Sequence, residues 1–260
     1  MKHLAKKRFG QNFLIDQTII ISLIAAIDPK PKETLIEIGP GLGALTKPLL
    51  KTVPQLHVIE IDRDIIKWME AEYAKPEYAS HQLTIHNIDA LKFDFSTLGK
   101  DLRITGNLPY NISTPILFHL LESLPNIKDM HFMLQKEVVE RMVATPSTSA
   151  YGRLSVMLQY HLQMEYLITV PSEAFNPAPK VESAFVRCLP YATLPYVAKD
   201  TALFSKIVQT AFSQRRKTIR NTLKPFLSDD DFLKLNIDAQ NRAENLSVAE
   251  FVAIANYLQN

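Results

Sequence analysis

Short apolar runs, separated by polar stretches with helical spacing, set the plan of this chain. Thr34 to Ile38, Leu56 to Glu60, Leu83 to His86, Leu102 to Thr105, Met130 to Leu134, Glu165 to Val170 and Ser183 to Leu189 are brief and rich in apolar or β-branched residues, as strands are. Leu45 to Lys51, Arg63 to Tyr73 and Pro115 to Leu124 lie between the first five and Lys136 to Val143 follows the fifth, all with the character of helices; only the gap after the third run lacks one. A helix is also predicted over Asp16 to Ile27, where Ile19, Ile20, Leu23, Ile24 and Ile27 share a face and Asp16 is placed to cap it. Such alternation implies right-handed βαβ units and a parallel sheet with helices on both faces.

The last two runs break the rule. Pro171, Pro177 and Pro179 lie between Val170 and Ser183, so the connection is not the helix that a parallel neighbour requires. The seventh strand is therefore expected to run antiparallel beside the sixth, in an α/β, Rossmann-like, mostly parallel seven-stranded sheet. Beyond Leu189 the pattern changes: Pro190 to Pro195 reads as a linker, followed only by helical patterns over Thr201 to Phe212, Arg215 to Phe226, Asp230 to Leu235 and Ser247 to Leu258. The expected division is a sheet domain over residues 1–190 and a small all-helical domain over 191–260.

Composition narrows the function. A hydrophobic content of 47% supports a sizeable core, and 29 Lys and Arg against 27 Asp and Glu leave a net charge of only +2, so nucleic-acid affinity would have to come from clustered cations. Clusters exist: Lys2 to Arg8 holds four cations and no acid, and Lys206 to Lys224 holds six and no acid. Cys188 is the one cysteine, which excludes an internal disulfide and a cysteine metal cluster, and no metal site is expected. The basic start and the run Ile19 to Ile27 imitate a secretory signal, but Asp16 interrupts it and Asp28-Pro29 closes it without a small-residue cleavage site. A cytoplasmic protein with no membrane partner is expected.

Candidate chemistry gathers at strand ends. Glu37-Ile38-Gly39-Pro40-Gly41-Leu42-Gly43-Ala44 leaves the first strand and enters a helix, giving a tight turn on which a ligand can approach the backbone. Gly39, Gly41 and Ala44 also satisfy the dinucleotide fingerprint, so the loop by itself leaves NAD and S-adenosylmethionine both open. Glu37 favours the latter, since its carboxylate would repel a pyrophosphate and suits a ligand bearing an ammonium and a sulfonium. The reversed strand points the same way. Glu60 ends the second strand where a carboxylate can accept from both ribose hydroxyls, and Asp89 follows the third where it can accept from an exocyclic amine; Ile61 and Ala90 flank them.

Asn107-Leu108-Pro109-Tyr110 follows the fourth strand and precedes a helix start. Asn107 offers an amide acceptor, Pro109 a rigid turn, and Tyr110 a flat face on which a base can stack. The stiff segment Phe175-Asn176-Pro177-Ala178-Pro179-Lys180-Val181 would hold Phe175 opposite Tyr110, with a flipped base between the rings. Gln214 to Lys224, read as a helix, carries Arg215, Arg216, Lys217, Arg220 and Lys224, with Arg216, Arg220 and Lys224 on one face for contact with a nucleic-acid backbone. His119 and His131 read as core histidines.

With these segments in view, the chain resembles the KsgA (RsmA) family of small-subunit rRNA adenine N6,N6-dimethyltransferases over nearly its whole length. Besides Glu37 to Thr46 and Asn107 to Tyr110, the matching stretches are Phe9 to Leu14, Gln135 to Val138, Tyr151 to Val156, Phe175 to Val181 and Gln214 to Arg220. The resemblance implies an S-adenosylmethionine-dependent methyltransferase fold in which Gln11, Asn12 and Leu14 close over the methionine part of the cofactor and Gly39 and Gly41 shape its pocket. It further implies that Glu60 binds the ribose, Asp89 the cofactor adenine amine, and Asn107 with the Leu108 carbonyl the target amine. The implied activity is N6,N6-dimethylation of adenosines, two adjacent ones, in 16S rRNA by a monomer bound to the small ribosomal subunit during ribosome biogenesis. A large-subunit rRNA methyltransferase, an assembly factor in which methylation is secondary, and a nicotinamide oxidoreductase are the alternatives.

Overall fold

The computed structural model describes residues 11–259; the basic cluster Lys2 to Arg8 and the Phe9-Gly10 part of the first motif lie outside them. A seven-stranded sheet comprises β2 (Leu35–Ile38), β3 (Gln55–Glu60), β4 (Gln82–Asn87), β5 (Leu102–Asn107), β6 (Ile127–Gln135), β7 (Leu162–Val170) and β9 (Ser183–Pro190), in the order β4-β3-β2-β5-β6-β9-β7. Pairings from β4 to β6 are parallel, and β9 runs antiparallel to β6. The reversed strand thus lies between the fifth and sixth strands of the sheet rather than only beside the sixth. Two further strands are not legible as such in the sequence: β1 (Phe13–Leu14) and β8 (Phe175–Asn176) form a separate two-stranded ribbon.

All four residues of β2 are buried although alternate side chains face opposite sides, so both faces of the sheet are covered. On one face Leu35, Leu56 and Val58 pack with Ile20, Leu23 and Ile27 of α1 (Gln17–Ile27), Leu49 of α2 (Thr46–Leu50) and Met69 of α3 (Arg63–Tyr73). On the other, ring contacts run from His86 through Phe93 and Phe95 to His119 of α4 (Ser113–Leu121). Asp16 caps α1 by accepting from the backbone N–H groups of Thr18 and Ile19 at 2.8 and 3.0 Å. The gap without a predicted helix, after β4, holds two 3₁₀ turns. The helix expected after β6 is present as α5 (Lys136–Val143).

The chain divides into two units. One ends its first pass at Val139 and resumes over Glu165–Pro190; the other comprises Glu140–Met164 and the chain from Tyr191 onward. The last break falls after Pro190, and Glu140–Met164 groups with the C-terminal helices. Within this second unit α6 (Arg153–Gln159), which has no counterpart among the predicted helices, packs with α7 (Thr201–Ala211). Tyr160 stacks obliquely on Phe204 at 4.6 Å between ring centres. Its hydroxyl accepts from the Ala198 N–H.

The basic segment corrects one expectation. Residues Gln214 to Thr218 are turns, and only α8 (Ile219–Thr222) is helical, so Arg216, Arg220 and Lys224 do not share a helical face. Backbone donors explain it: Ile219 and Arg220 bond to the Asn241 and Ala239 carbonyls at 2.8 and 3.1 Å, and Thr218 bridges Arg242. Cations four residues apart on a helix would also repel. Two expected helices follow, α9 (Asp229–Lys234), capped by Ser228, and α10 (Val248–Tyr257), which packs with α7. No described helix is long and apolar enough to cross a membrane.

Candidate active site

A parallel sheet presents the carboxyl ends of its strands along one edge, and there the loops after β2, β3, β4 and β5 surround a cavity of about 280 Å³. Glu37, Gly39, Gly41, Glu60, Ile61, Asp89, Ala90 and the run Asn107, Leu108, Pro109, Tyr110 all border it. Gln11, Asn12 and Leu14 border it as well, and so does Phe13 between them.

The glycine turn is left-handed at Gly39, Gly41 and Gly43, with φ of 66°, 53° and 75°. At Gly41 the constraint is doubled, because a Cβ would also lie 3.1 Å from the Phe13 ring. Glu37, at 2% exposure, accepts a 2.6 Å bond from the Thr46 hydroxyl at the start of α2. Burial pushes its carboxyl up to about 7; the bond from Thr46 opposes the rise and the nearby charge of Glu60 adds to it. Glu60 Oε1 accepts from the Ile61 and Asp62 N–H groups, both at 2.8 Å, which pins the carboxylate where β3 ends. Asp89 caps the first 3₁₀ turn through the Leu91 N–H at 3.0 Å, so its cap role and its place on the cavity coexist.

Asn107 is oriented by a long-range contact. Its side-chain nitrogen donates to the Asn12 carbonyl at 3.1 Å, committing the amide N–H side to the protein and leaving Oδ1 as the acceptor. Leu108 is fixed by its own N–H, which donates to the Met133 carbonyl at 3.1 Å. Gln11 donates to Asp62 at 3.1 Å, tying the segment ahead of β1 to the loop after β3. The phenol of Tyr110 meets the Ser183 hydroxyl at 2.9 Å.

Phe175 does not join this set. It is 3% exposed, pairs with Leu14 across the β1–β8 ribbon, and packs in the core with Leu23, Leu35 and Phe185, so it presents no ring face to a base opposite Tyr110. Loop aromatics reach the interior whenever that buries more apolar area than a solvent-facing site offers. Phe13, Thr46 and Ser183 are the residues that sequence reasoning missed. Phe13 and Thr46 lie inside matched stretches and Ser183 two residues past one, but membership of a stretch does not tell a contacting residue from a spacer.

The model of the ribosomal RNA adenine dimethylase family matches residues 2–260. The chain belongs to that family. A ribosomal RNA small subunit methyltransferase A from Methylobacillus flagellatus is 66% identical over 258 residues, 99% of each chain, and one from Thiobacillus denitrificans is 59% identical over 256 residues, 98% of each. Among solved structures, a dimethyladenosine transferase from Plasmodium falciparum superposes with a TM-score of 0.79 at 26% identity, covering 93% of this chain and 95% of its own. The 23S rRNA methyltransferase ErmE shares the fold, with a TM-score of 0.74 at 22% identity over 96% of this chain and all of its own. Membership sets aside the oxidoreductase alternative that the glycine loop had left open.

Proposed function

We propose that the protein transfers methyl groups from S-adenosylmethionine to N6 of adenosines in small-subunit (16S) rRNA, twice per base, during ribosome biogenesis. The observation that carries this reading is Asn107, whose amide oxygen is left as an acceptor on the cavity by the bond from its nitrogen to Asn12. The donor set suits the cofactor: Glu37 for its cationic end, Glu60 for the ribose diol, Asp89 for the adenine amine, and Ile61 and Ala90 for the purine faces, with a glycine turn over which backbone can approach. Gln11, Asn12 and Leu14 are placed to close over the methionine part. S-Adenosylmethionine supplies an electrophilic methyl group on a sulfonium.

The chain's own contribution is positioning. The N6 lone pair of adenine is delocalised into the ring, so acceptors at Asn107 Oδ1 and the Leu108 carbonyl that hold its N–H groups favour a pyramidal, available nitrogen. No general base is then required, and acceleration comes from holding N6 about 3–3.5 Å from the methyl in line with the leaving sulfur. Tyr110 offers a face to the flipped base, because an adenine stacked in a duplex cannot reach the cavity. Exposed cations of the turn at 214–218 and Lys224 supply contacts to phosphate.

The test is methyl transfer from labelled cofactor to small ribosomal subunits lacking the modification, with bases read by mass spectrometry. Wild type should form dimethyladenosine, and Asn107→Ala should lose it while still binding subunits. Subunit binding without transfer by the wild type would favour the assembly-factor role instead.

A further inference from the structure

An antiparallel strand begins at the edge of the sheet where its parallel neighbours end, so the first residue of β9 is brought to the same edge as the loops that surround the cavity. That residue is Ser183. It pairs with Gln135, the last residue of β6, is 1% exposed, and its hydroxyl lies 2.9 Å from the phenol of Tyr110. Tyr110 therefore reaches across the end of β6, the strand between β5 and β9, to a partner on the reversed strand. Its carbonyl is held too, accepting from the Ser113 hydroxyl at 3.0 Å.

The segment from β8 to β9 is anchored at both ends. Phe175 and Asn176 pair with Leu14 and Phe13, next to Asn12, whose carbonyl orients Asn107; at the other end Lys136 is tied to Glu182 by a 2.8 Å ion pair and by a backbone bond from its own N–H. Ser183 thus stands on a fixed frame. A tyrosine turns about two side-chain bonds, and a ring swinging about them would leave a stacked base poorly placed; a hydroxyl tether removes that freedom.

We infer that Ser183 is a positioning residue: through its hydroxyl it sets the plane of the Tyr110 ring on which the target adenine rests. This rests on the reading of Tyr110 as the platform for the base. Because misplacing reacting atoms by about 1 Å costs on the order of a hundredfold, a loosened ring should slow transfer to RNA without touching the cofactor's carboxylates.

The experiment is a double-mutant cycle in the full chain with immature small subunits as substrate. Ser183→Ala and Tyr110→Phe should each lower kcat/KM for the subunit by roughly tenfold, and the double variant should be no worse than either, because both delete one hydroxyl pair. Ser183→Thr should restore most of the rate, and the Kd for S-adenosylmethionine and the melting temperature should stay near wild type. Losses that multiply in the double variant, or a Ser183→Ala variant with wild-type kinetics, would overturn the inference. A fall in cofactor affinity and melting temperature parallel to the kinetic loss would also overturn it, as a structural role. Tyr110→Ala separates the two layers: if it leaves transfer intact, the platform reading itself fails; if it abolishes transfer while Ser183→Ala does nothing, only the tether fails.

Discussion

A single buried carboxylate carries the pH behaviour of the site. Burial raises the carboxyl of Glu37 from an ordinary value of 4.5 to about 7, so over that interval the folded chain holds a proton that the unfolded chain has lost. Stability contributed by this group is therefore present at low pH and falls as pH rises through the interval. Glu37→Gln should flatten that dependence in a series of melting curves. A cationic ligand prefers the carboxylate, so the affinity for S-adenosylmethionine should rise several-fold between about pH 5.5 and 7, with a proton released on binding, and calorimetry in buffers of different ionisation enthalpy reads both. Gly41 makes a steric counterpart: at φ 53° and 3.1 Å from the Phe13 ring, Gly41→Ala should weaken cofactor binding by shifting the turn against β1. Glu37, Glu60, Asp89 and Asn107 were legible from sequence because strand ends are legible. Ser183 and Thr46 were not, since their partners lie 73 and 9 positions away.

Among the elements, the basic turn divides cations that the sequence treated alike. Arg215 donates to the Ser149 carbonyl at 3.0 Å, and Arg220 pairs with Asp229. Arg216, Lys217 and Lys224 are exposed and make no ion pair among the described residues. Neutralising these last three should weaken RNA binding and lower the salt dependence by about one unit of slope for each phosphate they had neutralised, whereas Arg215→Gln should change that slope less. In the middle of the sheet, Arg103 of β5 fastens α1 to it. Its guanidinium meets both Asp129 oxygens at 2.9 and 3.0 Å, Glu33 at 2.5 Å, and the carbonyls of Ile27 and Asp28. Removing one partner of so buried a set leaves charges unpaired, so Arg103→Met should cost about 3 kcal/mol in denaturant unfolding. Adding Asp129→Leu should recover part of it.

For the molecule as a whole, a single cut after Pro190 does not separate the two units, because Glu140–Met164 groups with the chain from Tyr191 onward. A fragment ending at 190 would keep Glu140–Met164 but lose their partners, among them Phe204 beside Tyr160 and the Ala198 N–H on its hydroxyl. Such a fragment should bind a hydrophobic dye and melt below the full chain, because α6 buries Val156 and Leu158 that would then meet water. Local sequence was enough for the seven strands of the sheet, the helices after β2, β3, β5 and β6, the reversal forced by three prolines, and the carboxylates and amide at strand ends. Each follows from local periodicity, turn chemistry or chain direction, which a single stretch of residues carries. Long-range packing was needed to bring Phe175 into the core, to unwind the basic segment into a turn, to join Glu140–Met164 to the C-terminal helices, and to bring Ser183 to Tyr110. Those outcomes depend on which distant donors and apolar surfaces are within reach once the sheet has formed, and no local pattern encodes that choice.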